Sequence, residues 1–306
     1  MRIRVLGAAA GGGFPQWNCG CPNCREAREE NRRVVPRTQD SLAVSGDGQG
    51  WFLLNASPEI RQQIESFPPL HPSGPRHSPI RAILLTNGDL DHCLGLFSLR
   101  ESSPLVIYAT ERVRQGLVES NTIFRTLQRF PGQVTWRLLK LGREEELAGL
   151  DGASSGLSVL ALPAPGKLPI HLEGLMPGDP EDNVGLWIRE RRTGRLAVYL
   201  PAAASVDSSL RQTVEGADCL FFDGTFWSSD ELVRLGLSTK RAEDMAHLPI
   251  GGQAGSLACL TGLMAHRRIY THINNTNPIL REDSPERHAV EDAGWEVAGD
   301  GLELRL

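Results

Sequence analysis

Six residues in this chain have the types and settings that metal or acid–base chemistry requires. In TNGDLDHCLGL (Thr86–Leu96) the apolar approach RAILLT ends in a turn that carries Asp89, Asp91 and His92. In FFDGTFW (Phe221–Trp227) Asp223 follows directly on the apolar run CLFF, where a carboxylate emerges into a cleft. His247 stands beside a proline in MAHLPI (Met245–Ile250), and His272 closes the strand-like run RRIYTH. His92, His272 and one carboxylate make the two-histidine, one-carboxylate set that leaves positions open on Fe(II) for O₂ or substrate. Zn²⁺ accepts the same ligands and activates a bound water, so the set is open to both metals. His71, His77, His171, His266 and His288 lie in loops or polar helical contexts and are expected to be solvated.

A second cluster is sulfur-based. NCGCPNC (Asn18–Cys24) spaces Cys19, Cys21 and Cys24 so that three thiolates can converge on one tetrahedral ion, with Gly20 and Pro22 setting the turn. Zn²⁺ suits that geometry, and a closed thiolate site pins a Gly-rich loop that has little core of its own. Three cysteines need a fourth ligand. Cys93, Cys219 and Cys259 are isolated in apolar contexts and read as small buried hydrophobes. The preceding GAAAGGG (Gly7–Gly13) lacks the Lys-Ser/Thr of a phosphate loop and reads as a backbone turn beside the cleft.

These residues need strands to hold them. β-type runs recur at RIRVLG, SLAVSG, WFLLNA, RAILLT, LVIYA, LSVLALP, VGLWIRE, RLAVYLP, DCLFFDG, RRIYTHI and WEVAG. SGDGQG (Ser45–Gly50) and RRTGR (Arg191–Arg195) join neighbours as hairpins. Helical stretches are expected at Asn23–Arg33, Pro58–Ser66, Leu94–Arg100, Glu111–Phe130, Ser205–Glu215, Ala254–His266 and Glu286–Asp292. Asp207 and Ser284–Pro285 supply helix-start chemistry, and the proline-rich segment Pro68–Pro79 is a loop. Strands in series with a helix after every second or third one suit an αββα sandwich, two mixed sheets face to face with helices outside. No linker splits the 306 residues, so one domain spanning 1–306 is expected, with the cysteine loop at 18–24.

Composition narrows the function classes. A net charge of −5 disfavours a general nucleic-acid binder. No run of about 18 apolar residues is present, so no membrane insertion is expected. MRIRVLG lacks the apolar core of a signal peptide, so the protein is expected to remain in the cytoplasm.

The turn at Thr86–Leu96 resembles the T-H-x-H-x-D-H turn of the metallo-β-lactamase superfamily, with Asn87 and Asp89 where the first two histidines stand. The chain as a whole closely resembles the family of coenzyme PQQ (pyrroloquinoline quinone) synthesis protein B. The matching stretches are IRVLGAAAGGGFPQWNCGCPNC, LLNASPEIRQQI, LLTNGDLDHCLGL, LFFDGTFW, MAHLPI and THINNTNPIL, which run from one terminus nearly to the other. The resemblance implies a metallo-β-lactamase fold and a place in the pathway that builds PQQ from a Glu and a Tyr. Relative to the superfamily, ALPAPGKLP (Ala161–Pro169) carries Ala164 at a histidine position, and Ala202 or a neighbour replaces the bridging aspartate. These losses imply one cleft metal held by Asp91, His92 and His272, aided by Asp223 or Asp89. A Cys₃His zinc in related phosphodiesterases takes its histidine at the position of Asn275 here, whose amide oxygen is a weaker zinc ligand.

Three functions follow from the resemblance. The first is an Fe(II)-dependent oxygenase that hydroxylates the tyrosine-derived ring of a Glu–Tyr cross-linked precursor, with His247 as acid or base and Asp223 or Asp89 orienting a ligand or the phenol. The second is a hydrolase of a PQQ precursor. The third is a carrier of PQQ or its precursor towards the periplasm, with Lys167, Arg61 and Arg281 as basic pocket candidates. The expected partner is a small PQQ-related molecule, and a homodimer is compatible with each reading.

Overall fold

The computed structural model describes residues 1–29, 33–101, 103–119 and 121–306. Fourteen strands among them form two seven-stranded sheets. The first runs, in spatial order, β14 (Glu303–Arg305), β1 (Arg2–Gly7), β2 (Ser41–Ser45), β3 (Trp51–Leu54), β4 (Ile80–Leu84), β5 (Leu105–Ala109) and β6 (Val134–Leu138). The second runs β13 (Glu296–Val297), β12 (Arg267–Thr271), β11 (Cys219–Asp223), β10 (Leu196–Leu200), β9 (Val184–Glu190), β8 (Ser154–Pro163) and β7 (Glu144–Ala148). Both sheets are mixed: β3 to β6 are parallel neighbours, as are β10 to β13, while the remaining pairs are antiparallel.

The expected αββα order follows from side-chain alternation. In β4 and its extension, Ala82 and Leu84 enter the core between the sheets, while Ile83 and Leu85 pack under the helices of the first sheet. In β11, Cys219 and Phe221 face the inter-sheet core, whereas Leu220 and Phe222 face the helices of the second. Strands buried on both faces must be apolar throughout, which is why CLFF and WFLL read as continuous runs. Truncating a fully buried ring such as Phe221 to alanine costs about 3–5 kcal/mol.

Local chemistry sets the joints. In the β2–β3 hairpin, Asp47 Oδ1 accepts from the backbone N–H groups of Gln49 and Gly50, each at 2.8 Å. Asp207 caps helix Ser208–Val214 through the N–H of Leu210, and Ser284 caps Pro285–Asp292 through that of Arg287, as the sequence suggested. The carboxyl ends of β4, β11 and β12 then deliver Thr86, Asp223 and His272 to one edge of the sandwich.

Several expectations are corrected. The single helix expected over Glu111–Phe130 is a helix at Glu111–Val118 and a 3₁₀ segment at Thr122–Gln128, restarted by the Asn121 side chain accepting from the N–H of Ile123; residue 120 lies outside the described residues. Ala254–His266 contains only the turn of helix Ser256–Cys259, and Gly262, in the left-handed region at φ +71°, follows it. Leu94–Arg100 is a 3₁₀ helix at Leu94–Leu99 that continues the helix Leu90–Cys93. The helix expected at Asn23–Arg33 runs from Pro22 to Arg28, and residues 30–32 of the expected span lie outside the described residues. Strands β6, β7 and β14 were missed. In β7 and β14 polar residues, such as EEELA, are held extended by pairing with β8 and β1, whereas β6 (VTWRL) carries strand-favouring residues that sequence reading missed. No helix among the described residues is long and apolar enough to cross a membrane.

Candidate metal centre

The turn after β4 builds one side of the cleft. Asp91 and His92 ride on the short helix Leu90–Cys93, with His92 buried. His272 arrives from the opposite sheet directly after β12, at φ +54°, a left-handed conformation that a non-glycine residue adopts at a cost. That backbone swing brings the ring across the gap between the sheets. Nε2 of His272 stands 3.1 Å from Oδ2 of Asp91, and Nε2 of His92 stands 3.7 Å from the same oxygen. Donor atoms at about 2.1 Å from a common ion lie roughly 3–3.5 Å apart, so the spacing fits a shared cation. Gly11 lines the same cleft, and a Cβ there would sit 3.3 Å from Asp91 Oδ2.

Hydrogen bonds fix which ring nitrogens face the cleft. Nδ1 of His92 donates to Oδ1 of Asn87 at 2.9 Å, with Thr86 Oγ1 at 3.2 Å. Nε2 is therefore left bare, and it is buried without a hydrogen-bond partner. A buried, unsatisfied acceptor is costly unless something fills it, and a cation at Asp91 would. Nδ1 of His272 donates to Thr225 Oγ1 at 2.9 Å, which turns its Nε2 towards Asp91 in the same way. The residues present thus fit a divalent ion held by Asp91, His92 and His272.

Electrostatics agree with a cation site. Burial opposes charge on Asp91, yet the charges of His92 and His272 and the hydrogen bond from His272 hold its carboxyl far below the usual range. His92 is pushed down to about 4, chiefly by burial, which keeps its imidazole neutral. His272 is raised to about 9: burial works against it, but the bond to Asp91 and the charges of Asp91, Asp40 and Asp223 prevail. Asp89 lines the cleft and is raised to about 6 by burial and by the charge of Asp91.

Asp223, His247 and His272 also converge, but a hydroxyl occupies their centre. Thr225 Oγ1 lies 2.6 Å from Asp223 Oδ1, 3.0 Å from His247 Nδ1 and 2.9 Å from His272 Nδ1. Asp223 accepts from Nδ1 of His247 at 2.7 Å and from the backbone N–H groups of Ala203 and Thr225, each at 2.9 Å. Burial disfavours its charge, yet His247 and these bonds keep its pKa below the ordinary carboxylate value. With Nδ1 of His247 so engaged, its Nε2 is the nitrogen free for proton transfer.

At the other cluster the three thiols face one amide. Nδ2 of Asn275 lies 3.1 Å from the sulfur of Cys19, 3.7 Å from that of Cys21 and 3.3 Å from that of Cys24. Rotating this amide by 180° presents its oxygen instead, so Asn275 stands where a fourth ligand belongs. Burial pushes Cys21 up to about 12, whereas hydrogen bonds from Cys21, Cys24 and Asn275 overcome burial at Cys19 and lower it.

Comparison with known proteins identifies the lineage. Residues 50–273 match the β-lactamase superfamily domain. Coenzyme PQQ synthesis protein B of Methylobacterium nodulans is 47% identical over 310 residues, with 100% of each chain covered. The chain belongs to the coenzyme PQQ synthesis protein B family. A solved Zn²⁺-bound PqqB from Methylobacterium extorquens shares 44% identity and superposes with a TM-score of 0.92 over 100% of both chains. Together with the cysteine cluster, that relative supports zinc. A diphosphatase of the PhnP family, 21% identical with a TM-score of 0.67 and covering 100% of this chain and 97% of its own, shares the metallo-β-lactamase fold.

Within the PQQ synthesis protein B fold, Asn183 ties together Asn87, Ala164 and Ala202 beside the cleft. Asn87 Nδ2 donates to Oδ1 of Asn183 at 3.1 Å, and Asn183 Nδ2 donates to the carbonyls of Ala164 at 3.3 Å and Ala202 at 3.0 Å. Sequence reading missed Asn183, which precedes β9 with no spacing to mark it, and Thr225, which sits unremarked inside FFDGTFW. It also missed Asp40. This buried carboxyl accepts from the hydroxyls of Tyr199 and Thr271, and Asn55 Nδ2 donates to Tyr199 at 3.1 Å. An acid directly before the strand run SLAV was the available signal. Two basic candidates fall away: Arg61 is exposed outside the cleft, and Arg281 pairs with Glu26 at 2.7 Å. Lys167 does line it. His171, expected to be solvated, is half-buried, and burial lowers its pKa.

Proposed function

We propose that this chain acts in PQQ biosynthesis as a metal-dependent hydroxylase of the tyrosine-derived ring of a Glu–Tyr precursor. Asp91, His92 and His272 would hold Fe(II) or another divalent ion, and Cys19, Cys21, Cys24 and Asn275 would hold a structural zinc. The supporting observation is that Nε2 of His92, which has no hydrogen-bond partner, and Nε2 of His272 both face Asp91 Oδ2 in one cleft, where the family resemblance puts Asn87, Ala164 and Ala202 at other ligand positions. Fe(II) in such a set supplies O₂ activation because coordination positions stay open.

The chain's own residues do the rest. Asn87 and Thr225 hold the two rings in their ligating tautomers. Asp223 keeps the proton on Nδ1 of His247, so Nε2 of His247 accepts the phenol proton of the substrate and returns it afterwards. Asp89 orients the substrate from the cleft wall. Hydroxylation by O₂ places one oxygen on the ring and reduces the other to water, which takes two electrons from a reductant. The test is anaerobic Fe(II) loading, then the cross-linked Glu–Tyr substrate, O₂ and ascorbate. A mass gain of one oxygen that disappears in His92→Ala is expected; no gain with wild-type protein overturns the reading.

A carrier reading draws on the cavity of about 570 Å³ that adjoins the cleft. Tight PQQ binding that survives removal of the cleft metal, with no turnover, would favour it.

A further inference from the structure

The cleft at the metal donors, about 230 Å³, shares Gly166, Lys167 and Asn183 with the neighbouring cavity of about 570 Å³. Nearly every charged group lining the two already has a partner. Asp182 pairs with Arg112 at 3.2 Å, Asp207 accepts from the N–H of Leu210 at 2.7 Å, and Asp179 accepts from that of Glu181 at 2.9 Å. Asp91 faces His272. Two side chains differ: among the described residues, Lys167 and Asp89 make no hydrogen bond or ion pair with their charged atoms. Lys167 is half-buried and is the one Lys or Arg among the described residues that line these cavities. The two are within electrostatic reach of each other but do not touch.

Two opposite charges without a direct partner, half-buried on the wall of one cleft, offer a matched pair of charge-assisted hydrogen-bonding groups to a ligand. Their complement is a zwitterion. We propose that Lys167 and Asp89 bind the head group of a free α-amino acid, Lys167 taking the carboxylate and Asp89 the ammonium, with the side chain of that amino acid directed at Asp91, His92 and His272. This rests on the function proposed above and narrows its substrate. A tyrosine still inside a peptide presents neutral amides, which leave both charges unpaired, so the reaction that supplies this substrate is peptide-bond hydrolysis. The remainder of a two-residue substrate extends past Gly166 into the larger cavity, whose wall includes Leu162, Leu168 and Leu210.

The experiment uses the full chain loaded with redox-inert Zn²⁺, without O₂, and three probes measured by ligand-observed NMR titration. L-tyrosine carries both charges, tyramine lacks the carboxylate, and 3-(4-hydroxyphenyl)propionate lacks the ammonium. L-tyrosine is expected to bind roughly tenfold or more tightly than either analogue, since each analogue leaves one of the two charged side chains without a partner. Lys167→Met should bring L-tyrosine down to the level of tyramine, Lys167→Arg should retain the preference, and Asp89→Asn should bring it down to the level of the propionate. Equal affinities for the three probes, no saturable binding of any, or full preference in Lys167→Met and Asp89→Asn proteins with wild-type melting temperatures overturns the proposal. No oxygen transfer is involved. A failed hydroxylation assay with head-group discrimination intact therefore removes only the hydroxylase reading.

Discussion

Oδ1 of Asn87 accepts a hydrogen bond from Nδ1 of His92 at 2.9 Å. Asn87 thus orients the ring of His92, one of the three residues of the candidate metal set. Asn183 completes the arrangement: its amide takes the other end of Asn87 and closes on the carbonyls of Ala164 and Ala202, so the three are knit into one wall. Oδ1 of Asn87 also accepts from the backbone N–H of Asp89 at 3.0 Å, so both of its lone pairs are engaged and neither is offered to a second ion.

Removing that support should loosen the metal without unfolding the chain. Asn87→Ala and Asn183→Ala are each expected to weaken cleft-metal binding roughly 10–100-fold, the usual cost of losing the partner of a ligating histidine. Competition with a calibrated chelator reads the affinity, and circular dichroism confirms the fold. Wild-type affinity in both variants would show that His92 needs no such support.

Thr225 serves three partners through one hydroxyl. Thr225→Val keeps the shape and deletes the hydroxyl, leaving Nδ1 of His272 and Oδ1 of Asp223 short of a buried partner. The expected loss is about 1–3 kcal/mol in urea unfolding, with a shift in the His272 tautomer visible by ¹⁵N NMR of the ring. Unchanged stability and an unchanged tautomer would show that the hydroxyl is not the anchor.

The cysteine cluster should be separable from the cleft. Cys24→Ser is expected to lose one zinc per chain while the cleft retains its ion, as counted by elemental analysis of reduced protein. The melting temperature should fall by roughly 2–4 °C for each kcal/mol of stabilisation removed. Retention of zinc at this cluster, or simultaneous loss of both ions, contradicts the separation.

Asp40 gives a pH signature. Burial raises its carboxyl from the usual 3.8 to about 6, against the charge of His272 and the hydroxyls of Thr271 and Tyr199. Between those two values the folded chain holds a proton that the unfolded chain has released. Stability from this group is therefore greatest below 3.8 and is lost as pH climbs through about 6, by about 3 kcal/mol at most. Metal-free wild type and Asp40→Asn, compared by urea unfolding across that window, should differ in slope, with the variant flatter. Parallel curves would rule out Asp40 as the source.

The division between sequence and tertiary structure runs along the range of the interactions. Ile3 and Val5 against Arg2 and Arg4, the caps Asp207 and Ser284, and the continuous CLFF are local patterns, so most strands, these two helix starts and the four-layer order could be read directly. The cysteine spacing and the strand-end placement of Asp91, His92, Asp223 and His272 were legible for the same reason. Contacts across large sequence separations were not. Asn183 meets Asn87 only because β9 and the turn after β4 belong to facing sheets. Thr225 reaches His272 because β11 and β12 run in parallel register, Asp223 opposite Thr271. Residue types limit what chemistry is available, but which nitrogen of each histidine faces the cleft depends on the partner folding brings to its other side.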